Sequence, residues 1–345
     1  MEAINEMGIE SARLGPYLQA EGLLEPGGFT LDKIGGGQSN PTFLLRQGGV
    51  RLVLRKQPGG DVLPSAHRMD REYRVLSALA QAQALPVPRP ILYCDRPEVV
   101  GTPFYVMEHL DGRVFADYSA QGVTPIERRE MYLQMAQTMA HLHAVDWRAL
   151  GLTGYGREGG FFQRQIARWT EQWIRSRTRL NADVEELIAR LPGLVPDDDE
   201  TVLCHGDFRM GNLMFHPVQP RIVGVLDWEL STLGHPMSDV AFNCIAWRTL
   251  PSEYGGLLGE DLAALGIPSE QEYLADYCRA AGRDEATTPF HMAFALFRFA
   301  VIFEGIAARA LAGSASSENA SSVGQLAGAF ARRAVDCLNT SAETA

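Results

Sequence analysis

The sequence predicts an α+β protein of two lobes, a small antiparallel sheet followed by a larger, mainly helical half, on three observations. The chain has 345 residues, and at roughly 100 to 200 residues per domain that length suggests two domains or two lobes. Between Phe29 and Met107, short apolar runs alternate with turns marked by glycine and proline, the punctuation of a meander. After Asp111-Gly112 apolar residues recur three and four apart, which is the period of helices. The expected division is residues 1–107 and 108–345.

In the first lobe, Phe29 to Ile34 forms a strand that ends in the triplet Gly35-Gly36-Gly37. Thr42 to Leu45 follows, and Gln47-Gly48-Gly49 turns the chain into Val50 to Lys56. A helix is expected between Ser65 and Ala80, where Met69, Tyr73, Leu76 and Ala80 define one buried face with Glu72 beside it. Pro86, Pro88 and Pro90 then bar any helix, because each lacks the backbone N–H that a helical turn needs. They lead into two more strands, Ile91 to Cys94 and Phe104 to Met107, completing a five-stranded sheet with one helix.

The second lobe begins with Thr124, Pro125 and Glu127, a capping-box start with proline at the first helical position. Met131, Met135, Met139 and Leu142 mark the apolar stripe of that helix. A further helix is expected over Phe161 to Thr178, and helices again from about Pro236 to the end. Between them, Val202 to Leu226 holds three short apolar runs around two polar loops. Ser314 to Ser322 reads as a loop. Ala293 to Leu311 is the most apolar stretch, but Arg298, Glu304 and Arg309 interrupt it, so it is expected to be a buried helix and not a membrane span.

Composition narrows the function classes. With 46% hydrophobic and 21% charged residues, disorder, collagen and simple coiled coil are excluded. A net charge of −11 argues against a general binder of nucleic acid or anionic membranes. The five cysteines, Cys94, Cys204, Cys244, Cys278 and Cys337, form no close C-x-x-C pair, which fits a reduced cytoplasm and speaks against structural zinc. Met1 to Glu10 lacks the basic-then-apolar order of a secretory signal, so a cytoplasmic location is expected.

One segment carries the chemistry: His205-Gly206-Asp207-Phe208-Arg209-Met210-Gly211-Asn212, followed by Asp227-Trp228-Glu229. Its parts fit phosphoryl transfer, which needs a carboxylate to hold the attacking hydroxyl, oxygen ligands for Mg²⁺ and cations for the phosphate charge. Asp207 could supply the first. Asn212 and Asp227, separated by a hairpin across Pro217 to Pro220, offer the hard oxygens that Mg²⁺ prefers. Gly35-Gly36-Gly37-Gln38-Ser39-Asn40 lies between two strands, where glycines let backbone N–H groups approach ATP phosphates, and Gly36, Gly37, Ser39 and Asn40 are the candidates there.

These motifs resemble those of the aminoglycoside phosphotransferase and choline kinase branch of the protein-kinase-like fold, and the resemblance runs over nearly the whole chain. In that family the loop H-G-D-x-x-x-x-N carries the catalytic Asp and a metal-binding Asn, and a later D-x-[DE] carries the second metal ligand. The resemblance therefore implies Asp207 as catalytic residue, Asn212 and Asp227 as Mg²⁺ ligands, and a bilobal protein-kinase-like architecture. Val53-Leu54-Arg55-Lys56 resembles the strand that bears the phosphate-contacting cation, and Glu72 sits where its partner carboxylate would be. Strand alternation puts Leu54 and Lys56 on one face and Val53 and Arg55 on the other, and the family register favours Arg55. The glycine triplet departs from the protein-kinase G-x-G-x-x-G spacing. Arg209 either neutralises transition-state charge or braces the loop through a salt bridge. His205 is expected to be structural. Phe104 to Gly112, FYVMEHLDG, resembles the hinge where Glu108 and Leu110 would meet the adenine edge, and Asp239 matches a carboxylate that braces the catalytic loop.

The acceptor is expected on the helical lobe, a small molecule bearing a hydroxyl, between the segments after Tyr118 and those after Pro236. Net charge does not identify it, because fields are screened beyond about 8 Å at physiological salt. The runs VLRKQPGGDVLPSAHRMDREYRVLSAL, HGDFRMGNLMFHP and VLDWELSTLGHPMSDVA look more like the phosphotransferase domains associated with acyl-CoA dehydrogenases than like antibiotic-resistance enzymes. That implies a hydroxylated acyl-CoA or a related metabolite alcohol. The alternatives are an aminoglycoside antibiotic phosphotransferase and a catalytically silent nucleotide-binding module. Intact Asp207, Asn212 and Asp227 speak against the silent module; the short span from Asp227 to Asp239, with Trp228-Glu229 in place of Phe-Gly, speaks against a protein kinase.

Overall fold

A five-stranded antiparallel sheet organises the first of two units in the computed structural model, which describes residues 9–34, 40–59, 68–284, 287–312 and 323–340. This unit runs to Gly112 and also takes in Leu150–Leu152 and Val223–Glu229. Its strands are β1 (Thr30–Ile34), β2 (Thr42–Gln47), β3 (Val50–Lys56), β4 (Pro90–Cys94) and β5 (Phe104–Glu108), in the order β1-β2-β3-β5-β4. Register places Arg55 opposite Thr42 on one side and Tyr105 on the other. Because side chains alternate across a strand, Leu54 falls on one face of the sheet and Arg55 on the other.

Helix α1 (Ser11–Ala20) covers the Leu54 face, where Leu14, Leu18, Phe43, Leu45, Leu54 and Val106 form one core. Helix α2 (Met69–Gln81) supplies Glu72 to Arg55, and the short α3 (Pro97–Val100) meets Lys56. The sequence pattern anticipated only α2 in this region, and its phase there differs. The buried positions are Met69, Glu72, Val75, Leu76 and Leu79, while Tyr73 and Ala80 are half-buried. Apolarity ranks Tyr73 above Glu72, but an ion pair with Arg55 draws the carboxylate inward and turns the helix accordingly. Residues 65–67 of the expected helix, and Gly35, Gly36, Gly37 and Ser39, lie outside the described residues.

The second unit comprises Arg113–Ala149, Thr153–Ile222 and the chain from Leu230 onward. Helix α4 (Pro125–His143) starts as its capping residues dictate, with Thr124 Oγ1 accepting from Glu127 N at 3.2 Å, and its Met131, Met135, Met139 and Leu142 are fully buried. Then follow α5 (Phe161–Ser176), α6 (Ala182–Arg190) and the short strands β6 (Val202–Cys204), β7 (Leu213–Phe215), β8 (Ile222–Val225, of which residues 223–225 are counted with the first unit) and β9 (Thr232–Gly234), of which β6 and β9 pair antiparallel. Helices α7 (Pro236–Arg248), α8 (Leu262–Leu265), α9 (Glu270–Ala281), α10 (Pro289–Leu311) and α11 (Leu326–Thr340) complete it.

Helix α10 is long and apolar enough to cross a membrane by length and composition alone, yet 78% of its apolar window is buried, against α5, α7 and α11. It serves as a core helix. The expected loop Ser314 to Ser322 lies outside the described residues.

Candidate functional site

The loop after β6 is shaped by a carboxylate from α7. Asp239 is 1% exposed; its Oδ2 accepts from the His205 N–H at 2.6 Å, its Oδ1 from the Gly206 N–H at 2.9 Å, and His143 Nε2 lies 3.5 Å away. Burial alone would raise this carboxyl, but the hydrogen bond from His143, with His205 and the Gly206 N–H, holds it below the ordinary carboxylate range. Gly206 takes φ +83°, and a Cβ there would lie 2.5 Å from the Leu230 carbonyl oxygen, so the turn requires glycine. His205 is fully buried, with Nδ1 accepting from the Asp207 N–H at 3.2 Å.

Asp207 thus emerges from a clamped turn. Its Oδ2 accepts from Asn212 Nδ2 at 2.7 Å and from Arg209 Nε at 3.3 Å. Asn212 also donates to the Asp207 backbone oxygen at 2.8 Å, so both amide hydrogens are engaged and its Oδ1 remains to accept a cation. Of the two roles open to Arg209, the geometry displays the ion pair with Asp207; burial opposes its charge, and Asp207, Tyr254 and Tyr118 together outweigh it and raise the guanidinium further.

A second cluster belongs to the first unit. Arg55 Nε lies 3.1 Å from Glu72 Oε1, its Nη1 donates to Thr42 Oγ1 at 3.3 Å, and its Nη2 lies 2.5 Å from Asp227 Oδ1 and 3.7 Å from Glu229 Oε2. Asn40 is buried and donates to Glu229 Oε2 at 3.0 Å. Burial works against the Arg55 charge, but Glu72, Asp227 and Glu229 together push its pKa up. Glu72 is only 2% exposed, and burial raises its carboxyl against the pull of Arg55. Asp227 has φ +63°, a left-handed backbone uncommon outside glycine and typical of constrained functional positions.

Three carboxylates around one guanidinium leave an excess of negative charge carried by hard oxygens. That donor set fits a divalent cation such as Mg²⁺. Lys56 instead is buried on the opposite face, donating to the Val100 oxygen at 2.8 Å, and burial lowers its ammonium pKa. Glu108 ends β5 with its Oε1 accepting from the Arg89 N–H at 2.9 Å, and Leu110 beyond it is half-buried.

Several residues around the loop escaped sequence reasoning. Asn243 of α7 donates to the Phe208 oxygen at 2.8 Å, and Arg298 of α10 donates to the Gly206 oxygen at 3.0 Å. Each is a polar residue in an otherwise apolar helical run, which is the signal that could have found them. The buried trio His143, Cys204 and Asp239 brings possible ligand atoms within 4.8 Å of one another. Burial pushes the Cys204 thiol well up, which keeps it protonated and bonded to the His235 oxygen and the Ser238 hydroxyl, and Asp239 is committed to His143 and to backbone N–H groups, so each member of the trio already serves a hydrogen bond.

Residues 30–291 match the model of a phosphotransferase enzyme family. Acyl-CoA dehydrogenase family member 10 of Mus musculus is 42% identical over 304 residues, covering 87% of this chain and 28% of that protein. The chain therefore spans less than a third of that relative's length. The crystal structure of a candidate aminoglycoside phosphotransferase from Ralstonia eutropha is 39% identical, with a TM-score of 0.86 over 96% of this chain and 98% of that one. A thermostable mutant of aminoglycoside phosphotransferase APH(4)-Ia, in ternary complex with AMP-PNP and hygromycin B, shares the fold at 16% identity and a TM-score of 0.61, over 94% of this chain and 98% of that one.

Proposed function

The chain belongs to the phosphotransferase enzyme family, and on that premise we propose that it transfers the γ-phosphoryl group of MgATP to a hydroxyl of a small molecule. The observation that carries this reading is the clamped carboxylate of Asp207, half-buried and steadied by Asn212 and Arg209 while retaining lone pairs for an incoming hydroxyl. Asp207 accepts the hydroxyl proton as the oxygen attacks phosphorus; the bond from phosphorus to the β-bridging oxygen breaks, and ADP leaves with that electron pair. Asn212 and Asp227 are the proposed Mg²⁺ ligands, and Mg²⁺ when bound neutralises phosphate charge. Arg55, oriented by Glu72, contacts phosphate oxygens through its fork. Binding of an ATP analogue by APH(4)-Ia, which has this fold, supports ATP as donor.

The acceptor class proposed is a hydroxylated acyl-CoA or a related metabolite, by likeness to a protein whose name carries an acyl-CoA dehydrogenase. The test is a panel of hydroxylated metabolites, hydroxyacyl thioesters and aminoglycosides incubated with MgATP and followed by mass gain. Replacement of the base, Asp207→Asn, should cost about 10²- to 10⁴-fold in turnover while sparing MgATP affinity. Transfer to kanamycin-type sugars but not to hydroxyacyl thioesters would overturn the acyl reading, and absence of ATP consumption with every acceptor would overturn the whole.

A further inference from the structure

The first unit closes a ring of hydrogen bonds around Arg55. Asn40 follows the glycine-rich residues 35–39 in the chain and precedes Pro41, which confines its backbone to the extended region. Thr42 Oγ1 donates to the Asn40 oxygen at 3.1 Å, the Lys56 N–H donates to the Pro41 oxygen at 3.0 Å, and register sets Thr42 opposite Arg55. Asn40 is therefore fixed at the head of β2, against β3. From the other end of the chain, Trp228 is buried and donates from Nε1 to the Val225 oxygen at 2.9 Å, which holds the turn from which Asp227 and Glu229 both reach Arg55.

Glu229 joins the two ends. Its Oε2 accepts from Asn40 Nδ2 at 3.0 Å and lies 3.7 Å from Arg55 Nη2, while Arg55 Nη1 donates to Thr42 Oγ1 at 3.3 Å. A carboxylate only accepts, so Asn40 must turn its NH₂ toward Glu229, and the Thr42 hydroxyl gives its one hydrogen to the Asn40 oxygen while accepting from Arg55. The circuit Asn40, Glu229, Arg55, Thr42 is thus complete, and its link from Asn40 to Glu229 spans 189 positions. Two carboxylates that are neighbours but one in sequence carry different loads: Asp227 faces the guanidinium at 2.5 Å, whereas Glu229 commits Oε2 to the residue at which the glycine-rich segment ends.

We propose that Glu229 is a positioning residue: by accepting from Asn40 and facing Arg55 it fixes the spacing between the head of β2, the phosphate-contacting guanidinium and the carboxylate of Asp227, so that the nucleotide phosphates and their cation are met in one geometry. Its carboxylate adds charge to the site without ligating the cation. This rests on the reading of the first unit as the MgATP site.

The test exchanges donor and acceptor. Asn40→Asp sets two carboxylates against each other, Glu229→Gln leaves a neutral bond where a charge-assisted one stood, and the two changes together restore a charge-assisted bond with its direction reversed and the net charge kept. Calorimetry with AMP-PNP, which resists transfer of its phosphate, over a series of Mg²⁺ concentrations reads affinity without turnover. Each single change should weaken binding by about 10- to 100-fold, the range for a hydrogen bond to a charged group, and the double change should return to within about 3-fold of wild type. The Mg²⁺ concentration for half-maximal binding should stay where it is in the wild type. A double variant as weak as the single ones, or a Mg²⁺ requirement raised by Glu229→Gln, makes Glu229 a cation ligand and overturns the proposal. Urea midpoints separate positioning from bracing: single variants that lose stability yet keep wild-type nucleotide affinity overturn it as well. Where Asn40→Asp does not fold, the nearly isosteric Glu229→Gln decides alone, and wild-type affinity in that variant defeats the proposal. Binding by the wild type with indistinguishable variants defeats the positioning role only; a wild-type chain that binds no MgAMP-PNP defeats the MgATP reading beneath it and the proposal together.

Discussion

Asp239→Asn isolates the device that holds the loop at residues 205–212, the proposed catalytic loop. The carboxylate accepts two backbone N–H bonds, from His205 and Gly206 at 2.6 and 2.9 Å, and is 1% exposed. An amide has one oxygen, so whichever way it turns, one backbone N–H faces an NH₂ group. The variant loses a charge-assisted bond worth about 1.5–3 kcal/mol and strands a buried donor at about 1–3 kcal/mol more. A combined cost of about 2.5–6 kcal/mol is a large share of the 5–15 kcal/mol that typically holds a fold. Urea unfolding at pH 7 measures the loss directly, and kcat with the best acceptor should fall with it, because Asp207 follows the turn. A stability change under about 1 kcal/mol would refute the clamp, and a fall in kcat at unchanged stability would mean that Asp239 acts on substrate instead.

Arg55→Ala should raise the KM for ATP or lower kcat more than Lys56→Ala does, and should destabilise by about 3–5 kcal/mol because Glu72 is left buried without its cation; equal, small kinetic effects of the two changes would remove Arg55 from the phosphate site. Gly206→Ala should cost more than about 1 kcal/mol, since φ +83° and a 2.5 Å approach to the Leu230 oxygen both oppose a Cβ, and a wild-type unfolding midpoint would contradict the geometry. His291, whose Nδ1 accepts from the Thr288 N–H at 3.0 Å, is pushed down to about 3 by burial. The unfolded chain, with a His pKa of about 6.5, takes the proton first, so stability falls as pH drops below that value, by about 2 kcal/mol at pH 5. Urea midpoints between pH 7 and pH 5 should show this slope and His291→Gln should flatten it; a slope unaltered by the substitution would assign the effect elsewhere.

Local rules were sufficient where chemistry is local. Glycine and proline punctuation marked all five strands of the sheet, and Thr124-Pro125 with Glu127 marked the start of α4. They failed where a partner distant in sequence changed a residue's preference. Glu72 sits on the buried face of α2 because Arg55 awaits it, and α1 went unassigned because Gly15 and Pro16 interrupt its apolar pattern while Leu14 and Leu18 find a sheet to cover.

The amino-acid order alone determined the α+β class, the family and the motif residues Asp207, Asn212 and Asp227, because spacing within one loop and alternation along one strand are properties of short stretches of backbone. Tertiary structure decided which distant groups complete them. Asp227 meets Arg55 across 172 positions, Arg298 reaches the Gly206 oxygen across 92, and Asp239 holds two N–H groups more than 30 positions earlier. Such pairings leave no period in the chain; they exist because burial makes an unpartnered charge or donor costly, and only the folded core brings its partner within reach.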